Sequence, residues 1–336
     1  MKKILIIRFS SIGDIVLTSP VIRCIKQQVP DAEVHFAVKK SFYPVVKANP
    51  YIDKFHLLED DLKLLTNNLK EEKFDLIVDL HRNFRSGYIR SSIKVPYAGF
   101  PKLNIRKWLL VKFKIDLMPE IHIVDRYFKA ASSLGIVKDG KGLDYFIPEK
   151  DEFEISDLPE GFREGYVAFV IGAKHATKRL PEHKLISVCR MLDRPVILLG
   201  GPEDTGMAKN IMAACSPKVC SMCGSLNLNQ SASLVRQAEV VISHDTGLMH
   251  IAAAFRKKLI SIWGNTVPKI GMYPYMPGDE IKSAIIEVKG LKCRPCSKLG
   301  YNRCPKKHFR CMEEINEAEV LRAVSSQQSA VNNLTI

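Results

Sequence analysis

Residues 4–14, Ile4-Leu5-Ile6-Ile7-Arg8-Phe9-Ser10-Ser11-Ile12-Gly13-Asp14, and residues 240–250, Val240-Val241-Ile242-Ser243-His244-Asp245-Thr246-Gly247-Leu248-Met249-His250, share one design. In each, a short Ile and Val run ends in a small, polar, Gly-containing turn and then enters a helical pattern. In parallel α/β sheets that junction is where ligands bind. Strand carboxyl ends open onto a crevice there, and helix amino termini offer unpaired N–H groups to anions. One such junction in each half predicts a two-domain enzyme whose ligand lies in a cleft between the halves.

Outward from residues 4–14, strand and helix alternate. Strands are expected at 34–38, 55–58 and 76–80, and helices at 14–28, 41–48, 60–70, near Arg85 and over 122–134. Strands separated by helices of this length imply right-handed crossovers and a parallel sheet. Gly, Asp, Glu, Lys and Pro dominate 135–165, the best linker. Alternation then resumes, with strands at 166–171, 195–199, 240–243, 259–262 and 281–288. Helices are expected at 181–191, 203–214, 231–238, 247–255 and 316–327. The predicted organisation is a Rossmann-like domain over 1–150, a second over 151–315, and a terminal helix and tail over 316–336.

The 336 residues are 46% hydrophobic and 26% charged, enough for two cores and unlike a disordered chain. No apolar run approaches the roughly 20 residues of a membrane span, and no signal peptide is recognisable, so a cytoplasmic protein is expected. Fifty Lys and Arg oppose 36 Asp and Glu, a formal charge of +14 that favours an anionic partner without choosing among nucleic acid, phospholipid and phosphorylated substrate. Basic residues are dense in 81–90 and 102–114. Cytosolic cysteines are expected as thiols or metal ligands. Cys293, Cys296, Cys304 and Cys311 lie close together in a Gly, Pro and Lys-rich loop, with spacing that suits a structural zinc. No cysteine has a base placed beside it, which argues against a catalytic thiol.

Four segments carry candidate chemistry. At Asp245-Thr246-Gly247 the free N–H groups and the positive helix end suit a phosphate, with His250 on the same side of the first turn; an ordinary Asp cap is the plainer alternative. Lys174-His175-Ala176-Thr177-Lys178-Arg179-Leu180-Pro181 hangs cations over the same strand ends, suited to a diphosphate leaving group or simply solvated. Glu203 or Asp204, just past a strand end, suits a ribose hydroxyl or a first-turn helix acid. Asp14, after Gly13 at a helix entry, suits a base that takes a proton from a sugar hydroxyl, or a helix acid facing the dipole. The turn is not GxGxxG, so the nicotinamide fingerprint is absent.

These segments together resemble glycosyltransferase family 9, the ADP-heptose:lipopolysaccharide heptosyltransferases. The matches are 7–14, Asp79-Leu80-His81-Arg82-Asn83, Gly172-Ala173 with Lys178 and Pro181, Gly200-Gly201-Pro202-Glu203, and Asp245-Thr246-Gly247 with His250. The resemblance implies a GT-B fold, with the acceptor on the first Rossmann-like domain and the nucleotide sugar on the second. It implies inverting transfer of a heptose from ADP-heptose to a Kdo or heptose residue of the lipopolysaccharide inner core. Asp14 is then the base, with Ser10, Ser11, Gly13, Arg82 and Arg85 on the acceptor side. Lys178, Thr246 and Gly247 take the diphosphate, Asp245 the sugar, Glu203 or Asp204 the ribose, and His250 supports that region. No catalytic cofactor is required.

The acceptor that the resemblance implies is an anionic, phosphorylated lipopolysaccharide precursor, which would give the positive charge a use and bring peripheral attachment to the inner face of the cytoplasmic membrane. Two features depart from the family pattern: Leu180 stands where Trp is frequent, and Gly264-Asn265-Thr266-Val267-Pro268 where Gly-Pro-Thr-Asp-Pro is. They keep open a GT-B enzyme or sugar-nucleotide epimerase using another nucleotide sugar. A zinc-stabilised nucleic-acid binder accounts for the charge and the cysteines but not for Asp14 and Asp245 at strand ends, so no nucleic-acid partner is expected.

Overall fold

The computed structural model describes residues 2–325; the end of the expected last helix and the tail beyond it lie outside the described residues. The chain divides into one unit of Met1–Leu103 with Glu120–Pro148 and a second of Asn104–Pro119 with Glu149–Ile336. Residues 104–119, which the sequence places within the amino-terminal half, thus cluster with the second unit.

The first unit is a five-stranded parallel sheet in the order β3-β2-β1-β4-β5. Its strands are β1 (Lys2–Ile7), β2 (Ala32–Lys39), β3 (Lys54–Leu58), β4 (Leu76–Asp79) and β5 (Tyr97–Gly99). β1 is central, with Ile7 in register with Ala37 on one side and Asp79 on the other, and Ile4 to Ile7 are fully buried. That is why its sequence is a continuous apolar run. The helix expected over 14–28 is two, α1 (Ile12–Val16) and α2 (Ser19–Gln28). Pro20 lacks an N–H and fits only a first turn, so a new helix starts there. The Thr18 and Ser19 hydroxyls take up the carbonyls of Ile15 and Val16 at 2.6 and 2.7 Å.

Three further helices complete this unit. α3 (Leu62–Glu71) is capped by Asp61, whose carboxylate accepts the amides of Lys63 and Leu64. α4 (Phe84–Ile93) starts in a reciprocal Asn83–Ser86 capping box. The 41–48 helix is instead a 3-10 turn at Lys40–Val45 around Pro44. α5 (Asn104–Phe113) belongs to the second unit, and α6 (Ile123–Ala130) ends in a 3-10 turn at Ser132–Leu134.

The second unit is a six-stranded parallel sheet in the order β11-β10-β9-β6-β7-β8. Its strands are β6 (Val167–Val170), β7 (Val196–Leu199), β8 (Val219–Ser221), β9 (Val240–His244), β10 (Lys258–Trp263) and β11 (Ser283–Glu287). The helices are α7 (Glu182–Met191), α8 (Thr205–Cys215), α9 (Leu228–Gln237), α10 (Gly247–Ala254), α11 (Arg310–Glu313) and α12 (Glu317–Ser325). Its core joins β6, β7, β9 and β10 to α7, α8 and α12 through residues such as Phe169, Leu185, Val188, Ile211, Ile242 and Val320. Burying those side chains is the main force holding the layers together.

Candidate functional site

Strand order in the first unit reverses between β1 and β4, so the loops after both open onto one crevice of that sheet. Ser11 precedes α1 and gives Asp14 Oδ2 both its amide, at 3.3 Å, and its hydroxyl, at 2.7 Å. Asp14 Oδ1 meets Arg8 Nη2 at 2.5 Å. Arg8 itself is buried, donating Nε to the Ser10 carbonyl at 2.9 Å and Nη1 to the Leu80 carbonyl at 2.5 Å and the Tyr127 hydroxyl at 3.1 Å. Burial works against the Arg8 charge, but Asp14 and Tyr127 outweigh it, so its pKa rises above the usual guanidinium value. The Asp14 side chain keeps 23% of its exposure, so this carboxylate is oriented without being sealed into packed protein.

Asp79, buried at the end of β4, accepts the amides of His81 and Arg82 at 3.0 and 2.7 Å and pairs with Arg90 at 3.0 Å. It thereby folds the chain back at the crevice. Arg82 holds a left-handed backbone, φ 49°, and donates Nη1 to the Phe100 carbonyl at 2.6 Å. Its side chain crosses Gly99, where a Cβ would come within 2.8 Å of Cδ. Arg82 and Arg85 are both exposed. His81 is pushed down to about 3 by burial and by Arg8, so its ring is neutral.

In the second unit the order reverses between β6 and β9, and the same rule selects the loops after those two strands. There Lys178 Nζ meets Asp245 Oδ2 at 2.5 Å and donates to the Asp245 carbonyl at 3.3 Å. Thr266, after β10, donates its hydroxyl to the same Oδ2 at 2.9 Å. Thr246 is the N-cap of α10 and its hydroxyl lies 3.2 Å from Ser243 Oγ. Gly247 opens α10, whose first amides have no intrahelical acceptor and sit at the positive end of the helix dipole. His244, buried and pushed down to about 3 by burial, accepts the Leu180 amide at 3.0 Å and so ties the lysine loop to β9. His250, expected to reach toward an anion, is 2% exposed on the packed side of α10.

The two carboxylates after β7 have parted company. Asp204 is 1% exposed, accepts the Gly201 amide at 2.9 Å and pairs with Arg179 at 3.0 Å. Gly172 and Gly200 leave room for it, since a Cβ on either would strike its carboxyl group. Glu203, next to it, is exposed. Arg179 also donates to the Ala173 carbonyl at 2.6 Å, so of the loop cations Lys178 is the one on Asp245.

Sequence reasoning passed over Arg8, Thr266 and His244. Arg8 had a signal, a lone cation closing an apolar strand. Thr266 had one in the segment that departs from the family pattern. His244 had none, because its partner is a backbone amide 64 residues away.

The cysteine loop gives the zinc expectation no support. Among the described residues the one set of three or more His, Cys, Asp or Glu side chains with ligand atoms mutually within 4.8 Å is His35, His56 and Glu72. Cys296 Sγ turns to the Cys293 carbonyl at 3.1 Å, and Cys311 packs in the apolar core. The His35 set is already paired internally. The imidazoles lie 2.8 Å apart, and Glu72 pairs with Lys54 at 2.5 Å and Lys3 at 3.4 Å.

Two parallel α/β units, each with a polar site at its topological switch point, make up a fold of the GT-B type. Residues 63–300 match the sequence model of glycosyltransferase family 9 (heptosyltransferase), and the chain belongs to that family and is a glycosyltransferase. It is 24% identical over 293 residues to lipopolysaccharide heptosyltransferase 2 of Salmonella typhimurium, covering 79% of this chain and 84% of that one. The family 9 glycosyltransferase structure from Veillonella parvula superposes with a TM-score of 0.75 at 18% identity, over 97% of this chain and 96% of the other. E. coli heptosyltransferase WaaC with ADP-2-deoxy-2-fluoro heptose superposes with a TM-score of 0.69 at 20% identity, over 97% and 99%.

Proposed function

We propose that this glycosyltransferase moves a heptose from ADP-heptose to the Kdo or heptose inner core of a lipopolysaccharide precursor, with inversion at the anomeric carbon. The observation that carries the reading is the Lys178–Asp245–Thr266 cluster at the amino end of α10. An ammonium group beside free helix amides suits a departing diphosphate and meets its charge without a cofactor. The names of the relatives point to heptose, ADP and lipopolysaccharide.

In the reaction the acceptor oxygen bonds to the anomeric carbon on the face opposite the diphosphate. The carbon–oxygen bond to phosphate breaks, its electron pair leaves with ADP, and the hydroxyl proton goes to Asp14. Arg8 and Ser11 fix the carboxylate for that transfer. Lys178 and the Thr246 and Gly247 amides take the charge that develops on the diphosphate, and Asp245 contacts the sugar. Glu203, the exposed acid of its pair, holds the ribose, while the buried Asp204 holds Arg179. His250 packs beneath the first turn of α10. Ser10, Ser11 and Gly13, with Arg82 and Arg85, face the anionic acceptor. The lipid carrying that acceptor brings the enzyme to the inner face of the membrane. Among the described residues no helix is long and apolar enough to cross it.

Incubation with ADP-heptose and a Kdo-bearing acceptor should raise the acceptor mass by one heptose, with the anomeric configuration inverted by NMR. Consumption of ADP-heptose at the same rate with or without acceptor would identify an epimerase instead. Turnover confined to GDP- or UDP-linked sugars in a parallel screen would replace the donor.

A further inference from the structure

The outer face of α5 is built the wrong way round for a soluble surface helix. Such a helix turns its apolar stripe inward and its charges outward. In α5 and the loop after it, Leu110 and Met118 are the buried side chains, while Ile105 is 74% and Trp108 56% exposed, and Phe113, Ile115 and Leu117 also face solvent. Ile105, Trp108 and Lys112 follow the i, i+3, i+7 spacing of one helix face, and the Trp108 and Phe113 rings meet edge to face at 5.1 Å. Arg106, Lys107 and Lys112 lie on the same helix, and 104–115 hold no acid before Asp116, while Lys114 turns its Nζ to the Val111 and Pro295 carbonyls, each at 2.7 Å. Asp116 is itself paired with Lys269.

We infer that α5 is a lipid-docking element, lying in the headgroup plane of an anionic bilayer with Ile105, Trp108 and Phe113 inserted and its cations on the phosphates. The inference deepens the membrane partner of the proposed function and in that respect rests on it. Charge complementarity selects the occupant. A self-associating pair of α5 faces would set like charges against each other, whereas an anionic lipid surface neutralises them. Trp with Lys and Arg on a short helix is also the composition that partitions to the bilayer boundary rather than through it. Each cation near such a surface is worth about a fivefold gain in partition, and the gain fades with salt.

The chain has two tryptophans, and Trp263 is buried, so lipid-dependent emission reports Trp108. The purified full chain is mixed with vesicles of phosphatidylcholine alone or with phosphatidylglycerol, floated, and its emission read with brominated lipid as quencher. The expected result is flotation with the anionic vesicles only, a blue shift and quenching. Binding should fall about tenfold or more in the I105S/W108S double variant and also in K112E, both with an unchanged circular dichroism spectrum. Equal flotation of wild type and variants, or none for either, overturns the inference. So does a wild-type dimer that dissociates in the double variant without vesicle binding, since the face would then meet a second copy. Transfer to a lipid-free sugar acceptor separates the two readings. Its loss in wild type with vesicle binding intact overturns the proposed function and supports docking, and its retention in I105S/W108S supports docking apart from chemistry.

Discussion

Lys178 Nζ stands 2.5 Å from Asp245 Oδ2, joining the loop after β6 to the loop after β9 at the one place in that sheet where strand order reverses. An ammonium group held by a single carboxylate is an anion site already part-occupied from within. A diphosphate can take the lysine over because it carries more charge than Asp245, whose Oδ2 keeps the Thr266 hydroxyl. The pair therefore holds Lys178 in place at the amino end of α10.

Lys178→Ala should weaken ADP binding and lower kcat/KM by about 10²–10³-fold, the usual loss when one charge-stabilising donor is removed. Calorimetry with ADP and steady-state kinetics read the two effects. An unaltered dissociation constant together with unaltered turnover would remove Lys178 from the donor site.

Asp14→Asn keeps the shape and the Ser11 contact but takes away the proton acceptor. Transfer should fall by about 10²–10⁴-fold, the range of general-base catalysis, while ADP affinity stays within a factor of two or so. Donor affinity lost with transfer retained would show that Asp14 serves binding and not proton transfer.

Glu203 and Asp204 are neighbours in sequence with opposite surroundings, and the predictions split accordingly. Glu203→Gln should raise the donor KM about tenfold, one good hydrogen bond to a charged group, and leave the melting temperature alone. Asp204→Ala should cost about 2 kcal/mol of stability, because Arg179 loses its carboxylate and the Gly201 amide its acceptor. Thermal unfolding of both variants beside their kinetics decides it, and the reverse pattern would exchange the two roles.

The parallel sheets were legible because β1 and β9 are continuous apolar runs ending in Gly-containing turns, and burial on both faces demands that pattern. The break between α1 and α2 was present in Pro20 but hidden by unbroken apolar periodicity on either side. At the site, the position of Asp14 could be read and its partner Arg8 could not, because register between distant segments brings Tyr127 and the Leu80 carbonyl around that guanidinium. Glu203 and Asp204 were indistinguishable by spacing, since what separates them is Arg179, 25 residues earlier on another loop. The cysteine loop had ligand spacing, but spacing does not fix the direction of four side chains. α5 went unrecognised as a helix because its apolar residues face both ways and leave no inward stripe to detect.

Acid should destabilise the first unit through His56. Burial, with His35 next to it, pushes this imidazole down to about 4 from an ordinary 6.5, and Glu72 on α3's end opposes the shift while Lys54 and Lys3 add to it. A folded-state pKa below the unfolded one means the unfolded chain takes up a proton that the folded chain refuses. The stabilisation is therefore whole above about pH 6.5 and declines as pH falls toward 4, by about 2 kcal/mol at pH 5 for one such group. His56→Gln keeps a polar side chain beside His35 and removes the titration. The fall in thermal midpoint between pH 7 and pH 5 should accordingly be smaller in this variant than in wild type. An identical fall in both proteins would assign the acid sensitivity to other groups, of which His81 and His244, each pushed down to about 3 chiefly by burial, are the next to test.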